Sequence, residues 1–174
     1  MASMYEIYVN YIQHDENNVK GFFEEFRFLS NFHLAEVYFE GILYPSTEHA
    51  YQAAKTLDID VRKEFLTLTC GKAKSKGQKI GLRDNWDYIK YEVMFSVVFD
   101  KFTRHQYLRE KLLATGDKYL EETNHWGDKY YGVFNGVGKN VLGKILMQIR
   151  SILKNNPTQL ISKEKKGIPI ELFK

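Results

Sequence analysis

The chain has 174 residues, 44% hydrophobic and 15% aromatic, which is enough for one substantial core and too few to need two. A single cysteine, Cys70, excludes an intramolecular disulfide, and the start MASMYEIYVNYIQ lacks the charged opening and long apolar run of a signal peptide. No stretch approaches the roughly 18 apolar residues of a membrane span, so a soluble, cytoplasmic protein of a reducing compartment is expected, with no membrane partner. The net charge of +3 is carried by residues 154–174, where five lysines oppose Glu164 and Glu171. The remaining body is formally neutral, which disfavours a broad basic footprint on nucleic acid.

In chain order, strand-like pieces come first. Gly21 to Phe28 is aromatic-rich, and Glu36 to Tyr44 alternates about a Glu40-Gly41 turn. Helices follow: one entered through Pro45 with a Ser46 or Thr47 cap, one from about Asp60, a basic segment, a long helix from about Asp87 to Thr103, and a last helix from Asn140 to Leu153 with Asn140 as cap. Apolar residues nearly encircle the long helix, which places it at the centre of the core. Asn155-Asn156-Pro157 breaks the last helix. The lysine-rich tail beyond it reads either as a mobile appendage or as a segment docking through Ile168, Ile170, Leu172 and Phe173. The expected fold is α+β and predominantly helical, a single domain with short N-terminal strands. Residues 1–19 are expected to form an N-terminal extension, 20–154 the domain and 155–174 the tail.

The densest chemistry lies in YPSTEHAYQAAK, Tyr44 to Lys55. At about 100° per residue, Glu48, Gln52 and Lys55 fall within about 60° of one another, and Ala50, Ala53, Ala54 and Leu57 gather opposite. One side thus presents an acid, an amide and a cation either to water or to a ligand. Between Gly71 and Arg83 come Lys72, Lys74, Lys76, Lys79 and Arg83, with no acid until Asp84, a charge sufficient for a phosphate or two and equally readable as a solvated helix face.

Glu121 to Gly143 is the second dense segment. A Walker loop would need glycine where Val133 stands and Ser or Thr where Asn140 stands, and a dinucleotide fingerprint would need glycine at Val141. A glycine-rich approach to a helix N-terminus survives, favourable to an anion through free N–H groups and the helix dipole; a plain turn is equally compatible. His14, His33, His49, His105 and His125 show no metal-ligand spacing with each other or with Cys70, so neither metal nor cofactor is expected. His49 and Cys70 read as structural.

Taken together, the residues resemble the NADAR domain family, also called YbiA-like. The resemblance runs through SNF at Ser30 to Phe32, the YPSTEHAYQAAK segment, Trp86 in DNWD, VMFSVVFDKF at Val93 to Phe102 and LLATGDKYLEE at Leu112 to Glu122. It continues through Trp126 to Gly132 and the glycine-rich run from Gly136 to Arg150. It implies N-glycosidase chemistry at ribose C1. Removal of ADP-ribose from ADP-ribosylated guanine in nucleic acid is the favoured activity, with hydrolysis of phosphoribosylamino-pyrimidine intermediates of riboflavin biosynthesis and non-catalytic ADP-ribose binding as alternatives. The implied partners are an ADP-ribose or ribose-phosphate substrate and a modified nucleic acid. Carried onto matching positions, the catalytic candidates are Glu48 and Asp128. Trp86, Lys55, Tyr131, Asn31, Gln52, Gly138 and Asn140 are expected to bind substrate. The chain departs from the usual D-x-x-W-G at Tyr131, which stands for the tryptophan and offers a smaller stacking surface. An alternative register through Trp126-Gly127 would place Thr123 at the acid's position.

Overall fold

The computed structural model describes residues 12–156. In chain order the strands and helices are β1 (Gln13–His14), β2 (Asn18–Lys20), β3 (Val37–Phe39), β4 (Ile42–Tyr44), α1 (Thr47–Ala53), α2 (Ile59–Glu64), α3 (Cys70–Gly77), α4 (Trp86–Arg104) and α5 (Gln106–Ala114). β5 (Tyr119–Glu121), β6 (Thr123–Asn124), β7 (Val133–Phe134), β8 (Val137–Gly138) and α6 (Val141–Asn155) complete the order. This is the expected α+β class. The described residues fall into two compact units, one built from 12–30 with 109–156 and the other from 31–108.

In the first unit β2 pairs antiparallel with β1 and parallel with β5, in a register that sets Val19 beside Leu120. Both side chains are fully buried, and α6 packs against β5 through an apolar stripe that includes Leu142, Ile145, Leu146 and Ile149. β1 and the first two residues of β2 lie within the segment expected to be an extension. The apolar spacing also placed α6 within two residues at either end. Gly21 to Phe28 is not a strand: a 3₁₀ turn covers Glu24–Leu29, and Glu24 has a left-handed φ of 46°. Adjacent Phe22 and Phe23 are both buried, which a half-buried strand of period two cannot achieve. The second small sheet joins β6 parallel to β7 and β7 antiparallel to β8, closed by Asn135-Gly136 with both residues at positive φ.

In the second unit β3 and β4 form the expected hairpin across Glu40 and Gly41, again both at positive φ. β3 packs on α4, and Asp100 accepts from the Tyr38 backbone N–H at 2.7 Å while pairing with Arg104. Val93 to Phe99 are buried without interruption, the central helix that the sequence predicts, although Tyr88 in its first turns is exposed.

α1 is shorter than expected. It ends at Ala53, and Lys55 and Thr56 continue in a turn whose N–H groups reach Gln52 and Ala53 carbonyls. Leu57 therefore leaves the apolar side assigned to it and is exposed. Ser46 is the cap: its Oγ accepts from His49 N at 3.4 Å and lies 2.7 Å from His49 Nδ1, while His49 Nε2 meets the Leu68 carbonyl at 2.8 Å. His49 is fully buried and structural, as expected. Ser46→Ala removes the cap and leaves a buried ring nitrogen without its partner, so urea unfolding is expected to show a loss of about 1–3 kcal/mol. A loss below about 0.5 kcal/mol would show that the start of α1 does not depend on this hydroxyl.

Candidate functional site

The polar side of α1 is buried. Every residue from Thr47 to Ala53 is enclosed, with Glu48 6% and Gln52 5% exposed, so the solvated-face alternative fails for these two. Glu48 Oε1 accepts from Gln52 Nε2 at 2.9 Å, one helical turn on. A hydrogen bond to the carboxylate favours its charged form against the cost of burial. The Glu48 backbone N–H donates to the Asn31 carbonyl at 3.1 Å, which ties the SNF segment to the first turn. Asn31 Nδ2 donates to Met94 Sδ at 3.4 Å, and its buried Oδ1 has no hydrogen-bond partner among the described residues.

Lys55 lies just past α1 and donates from Nζ to the Gly77 carbonyl at 2.9 Å, with Nζ 5.8 Å from the Tyr51 ring centroid. Burial pushes its pKa below the ordinary lysine value; Glu48 opposes that shift and Lys74 adds to it. The basic segment begins as α3 and runs beyond it to Arg83, and its charges have different destinations. Lys76 pairs with Glu64 at 2.5 Å and Arg83 lies 3.9 Å from Glu40, whereas Lys74 is near enough to influence Lys55 and sits 5.8 Å from the Phe32 ring centroid. Trp86 is buried at the start of α4 and tilts against Tyr51 with centroids 5.2 Å apart, the geometry of a packed aromatic pair.

Asp128, Tyr131, Gly138 and Asn140 belong to the first unit. Asp128 Oδ1 accepts from the Tyr130 and Tyr131 N–H groups at 2.9 and 3.0 Å, so this carboxylate shapes the turn that carries Tyr131. Asn124 secures the other side: its Oδ1 accepts from Asp128 N at 3.0 Å and its Nδ2 donates to the Asp128 carbonyl at 2.7 Å. Tyr131 is half-buried and edge-on to Tyr130 at 4.8 Å.

The glycine-rich run resolves in favour of the plain turn. Lys139, Val141 and Leu142 N–H groups donate to the carbonyls of Lys129, Tyr130 and Tyr131, so the first two donors of α6 are already engaged. Asn140 occupies the cap position at φ 50°, but its side chain caps nothing. Its Nδ2 donates to Leu120 O at 2.8 Å and to Tyr119 Oη at 3.0 Å, and its Oδ1 accepts from Glu122 N at 3.0 Å. Gly138 is similarly architectural: a Cβ there would come within 2.1 Å of the Gly132 carbonyl oxygen. These contacts give Asn140 and Gly138 structural work in the loop that leads into α6.

Three residues that the sequence reading did not single out enter the site. Tyr51 precedes Lys55 by one turn, a spacing visible in the sequence. Lys74 was one of five basic residues with nothing to distinguish it, and Gly77 announces itself only through the closeness of α1 and α3.

An α+β protein with a desolvated acid and amide on one short helix, beside a partly buried lysine, is the class that fold and site define. The chain belongs to the NADAR domain family, whose pattern matches residues 11–154. It is similar to N-glycosidase YbiA of Escherichia coli K12, at 36% identity over 135 residues that cover 71% of this chain and 79% of that protein. The NMR structure of E. coli YbiA superposes with a TM-score of 0.72 at 31% identity, covering 86% of this chain and 92% of that one. A riboflavin biosynthesis protein of Vibrio vulnificus is 35% identical over 76% of this chain; the chain spans 37% of that longer protein.

Asn140→Ala is expected to lose about 2–4 kcal/mol in urea unfolding, because it strips partners from three polar groups and leaves alanine in a left-handed conformation. A folded, equally stable variant with weakened ligand binding would instead assign Asn140 to the substrate.

Proposed function

We propose that this protein is an N-glycosidase that hydrolyses the bond between ribose C1 and a base-like nitrogen, and that its substrate is ADP-ribosylated guanine in nucleic acid. The observation that carries the reading is the buried Glu48 carboxylate, held by the Gln52 amide and electrostatically coupled to Lys55. N-glycoside cleavage builds positive charge on the sugar ring as the base departs and places a water at C1. A desolvated carboxylate serves both needs, since it stabilises that charge and accepts the water's proton. Lys55 and Lys74 supply cationic contacts for phosphate beside the ribose. Asp128 is the second acid of this reading. Its Oδ1 orders the turn that carries Tyr131. Trp86, tilted against Tyr51, is the stacking surface that this reading assigns to the base.

A second substrate has its own support. The Vibrio relative carries the name riboflavin biosynthesis protein, and a chloroplastic relative of maize named for the same pathway is 30% identical over 62% of this chain. Hydrolysis of a phosphoribosylamino-pyrimidine uses the same bond class and the same phosphate contacts.

The test is release of free ADP-ribose from an ADP-ribosylated guanine oligonucleotide, run beside the phosphoribosylamino-pyrimidine. Wild type is expected to cleave the first; cleavage of the pyrimidine alone would move the assignment to the second, and neither would favour a binding module. Glu48→Gln is expected to fold and to lose about 10²–10⁴-fold in turnover, and full activity would exclude proton transfer by this group. Asp128→Asn keeps an oxygen for the Tyr130 and Tyr131 N–H groups. A loss of turnover of roughly 10-fold or more with unchanged melting would therefore report its charge rather than its turn.

A further inference from the structure

We propose that Gly77 and Gln52 form a positioning device for Glu48, in which the bare backbone of Gly77 on α3 fixes the Gln52 amide and that amide orients the carboxylate. The inference rests on the reading of Glu48 as the reacting group and assigns a role to two residues that do not themselves react.

The geometry is specific. A Cβ built on Gly77 would fall 2.0 Å from Gln52 Oε1, 2.7 Å from its Cδ and 2.8 Å from its Cβ. The amide oxygen thus lies against the Cα of Gly77 and has no hydrogen-bond partner among the described residues, while the amide nitrogen points the other way, to Glu48 Oε1 at 2.9 Å. With its oxygen side closed by Gly77, the amide cannot turn without carrying its donor off the carboxylate. Contact with Gln52 Cβ excludes a remedy by rotation of the side-chain tip alone: any residue larger than glycine forces α1 and α3 apart. The same glycine uses its carbonyl to hold Lys55 Nζ at 2.9 Å, so one backbone unit sets the positions of both the amide and the cation.

A donor held on a buried carboxylate does two things. It selects one orientation of the group and it stabilises the ionised form, so its loss turns the acid and makes it easier to protonate. The acid limb of the pH–rate profile should consequently move to higher pH. A glycine that merely let two helices pack would change melting temperature without moving that limb.

The experiment compares Gln52→Ala, Gly77→Ala, the double variant and Glu48→Gln in the full chain, with turnover, KM, pH–rate profile and melting temperature as readouts on the substrate that wild type cleaves. Gln52→Ala is expected to lower kcat roughly 10- to 100-fold with KM within about threefold, and to shift the acid limb upward. Gly77→Ala should shift the limb in the same direction. The double variant should lose less kcat than the product of the two single losses, because both changes remove the same amide contact, although the remaining Cβ–Cβ collision still lowers its melting temperature. An unchanged limb in Gly77→Ala, or a double loss equal to the product of the singles, would overturn the proposal. Should Gly77→Ala fail to fold, Gln52→Ala decides: wild-type kcat and limb position sink the idea. Full activity in Glu48→Gln overturns the underlying reading and this proposal together, whereas an inactive Glu48→Gln beside an unmoved Gln52→Ala profile overturns this proposal alone.

Discussion

The burial of a carboxylate on a seven-residue helix is the constraint on which the second unit turns. Taking an acid out of water is costly unless donors replace the lost hydration, and a helix this short contributes little stability of its own. Both problems have the same solution, which is close enclosure. Ala50, Ala53 and Ala54 are fully buried and small enough for neighbouring elements to approach the α1 backbone. Ser46 and His49 bind the helix start to the Leu68 segment, and Asn31 accepts from the Glu48 N–H. Enclosure leaves Glu48 facing an amide in place of bulk water, and the lower dielectric strengthens its attraction to Lys55.

The starts of α1 and α6 show opposite uses of the same unsatisfied donors. At α1 a serine side chain takes the His49 N–H and the Asn31 carbonyl takes that of Glu48. At α6 the preceding loop folds back, so that carbonyls of Tyr130 and Tyr131 take the Val141 and Leu142 donors. The second arrangement commits the first two donors of the helix to internal contacts and so fixes the loop. Asp128 completes that loop from the other direction by accepting the Tyr130 and Tyr131 N–H groups. Each of these tyrosines therefore has both its N–H and its carbonyl engaged, which restrains the segment that presents their rings.

Much of this was legible because local pattern and tertiary demand agree. The apolar spacing in α6, the unbroken apolar surround of α4 and the Glu40-Gly41 hairpin are strong local signals that burial reinforces. The motif segment at Glu48 was legible for the same reason, since its cap and its acid, amide and lysine spacing are all encoded within twelve residues. Gly21 to Phe28 misled because aromatic residues favour strands only where a pleated half-buried surface exists for them; here Phe22 and Phe23 are buried together and the backbone turns at Glu24. The parallel pairings of β2 with β5 and β6 with β7 join residues about 100 and 10 positions apart in strands of two or three residues. No periodicity can emerge from strands so short. Asn140 was placed at the helix start by its type, yet whether its amide would face a ligand or Leu120 is decided by β5, which the sequence spacing did not reveal. The tail readings at Ile168, Ile170, Leu172 and Phe173 lie outside the described residues.

Charge distribution separates recognition from attraction. Outside residues 154–174 the chain is formally neutral, so affinity for an anionic substrate cannot come from a long-range field over the body. Lys76 and Arg83, which lend the basic segment its appearance, are near Glu64 and Glu40. Lys55 differs because burial makes its protonated form costly, with Lys74 increasing that cost and Glu48 reducing it. A phosphate placed beside it would add a second negative neighbour and raise its proton affinity again, so binding and full protonation of Lys55 are thermodynamically linked. Such a site gains most from an anion that also excludes water. Under the proposed function, that requirement would favour a phosphate carried on a bulky nucleotide over the same phosphate free in solution, with selection by local desolvation where a basic surface would select by charge alone.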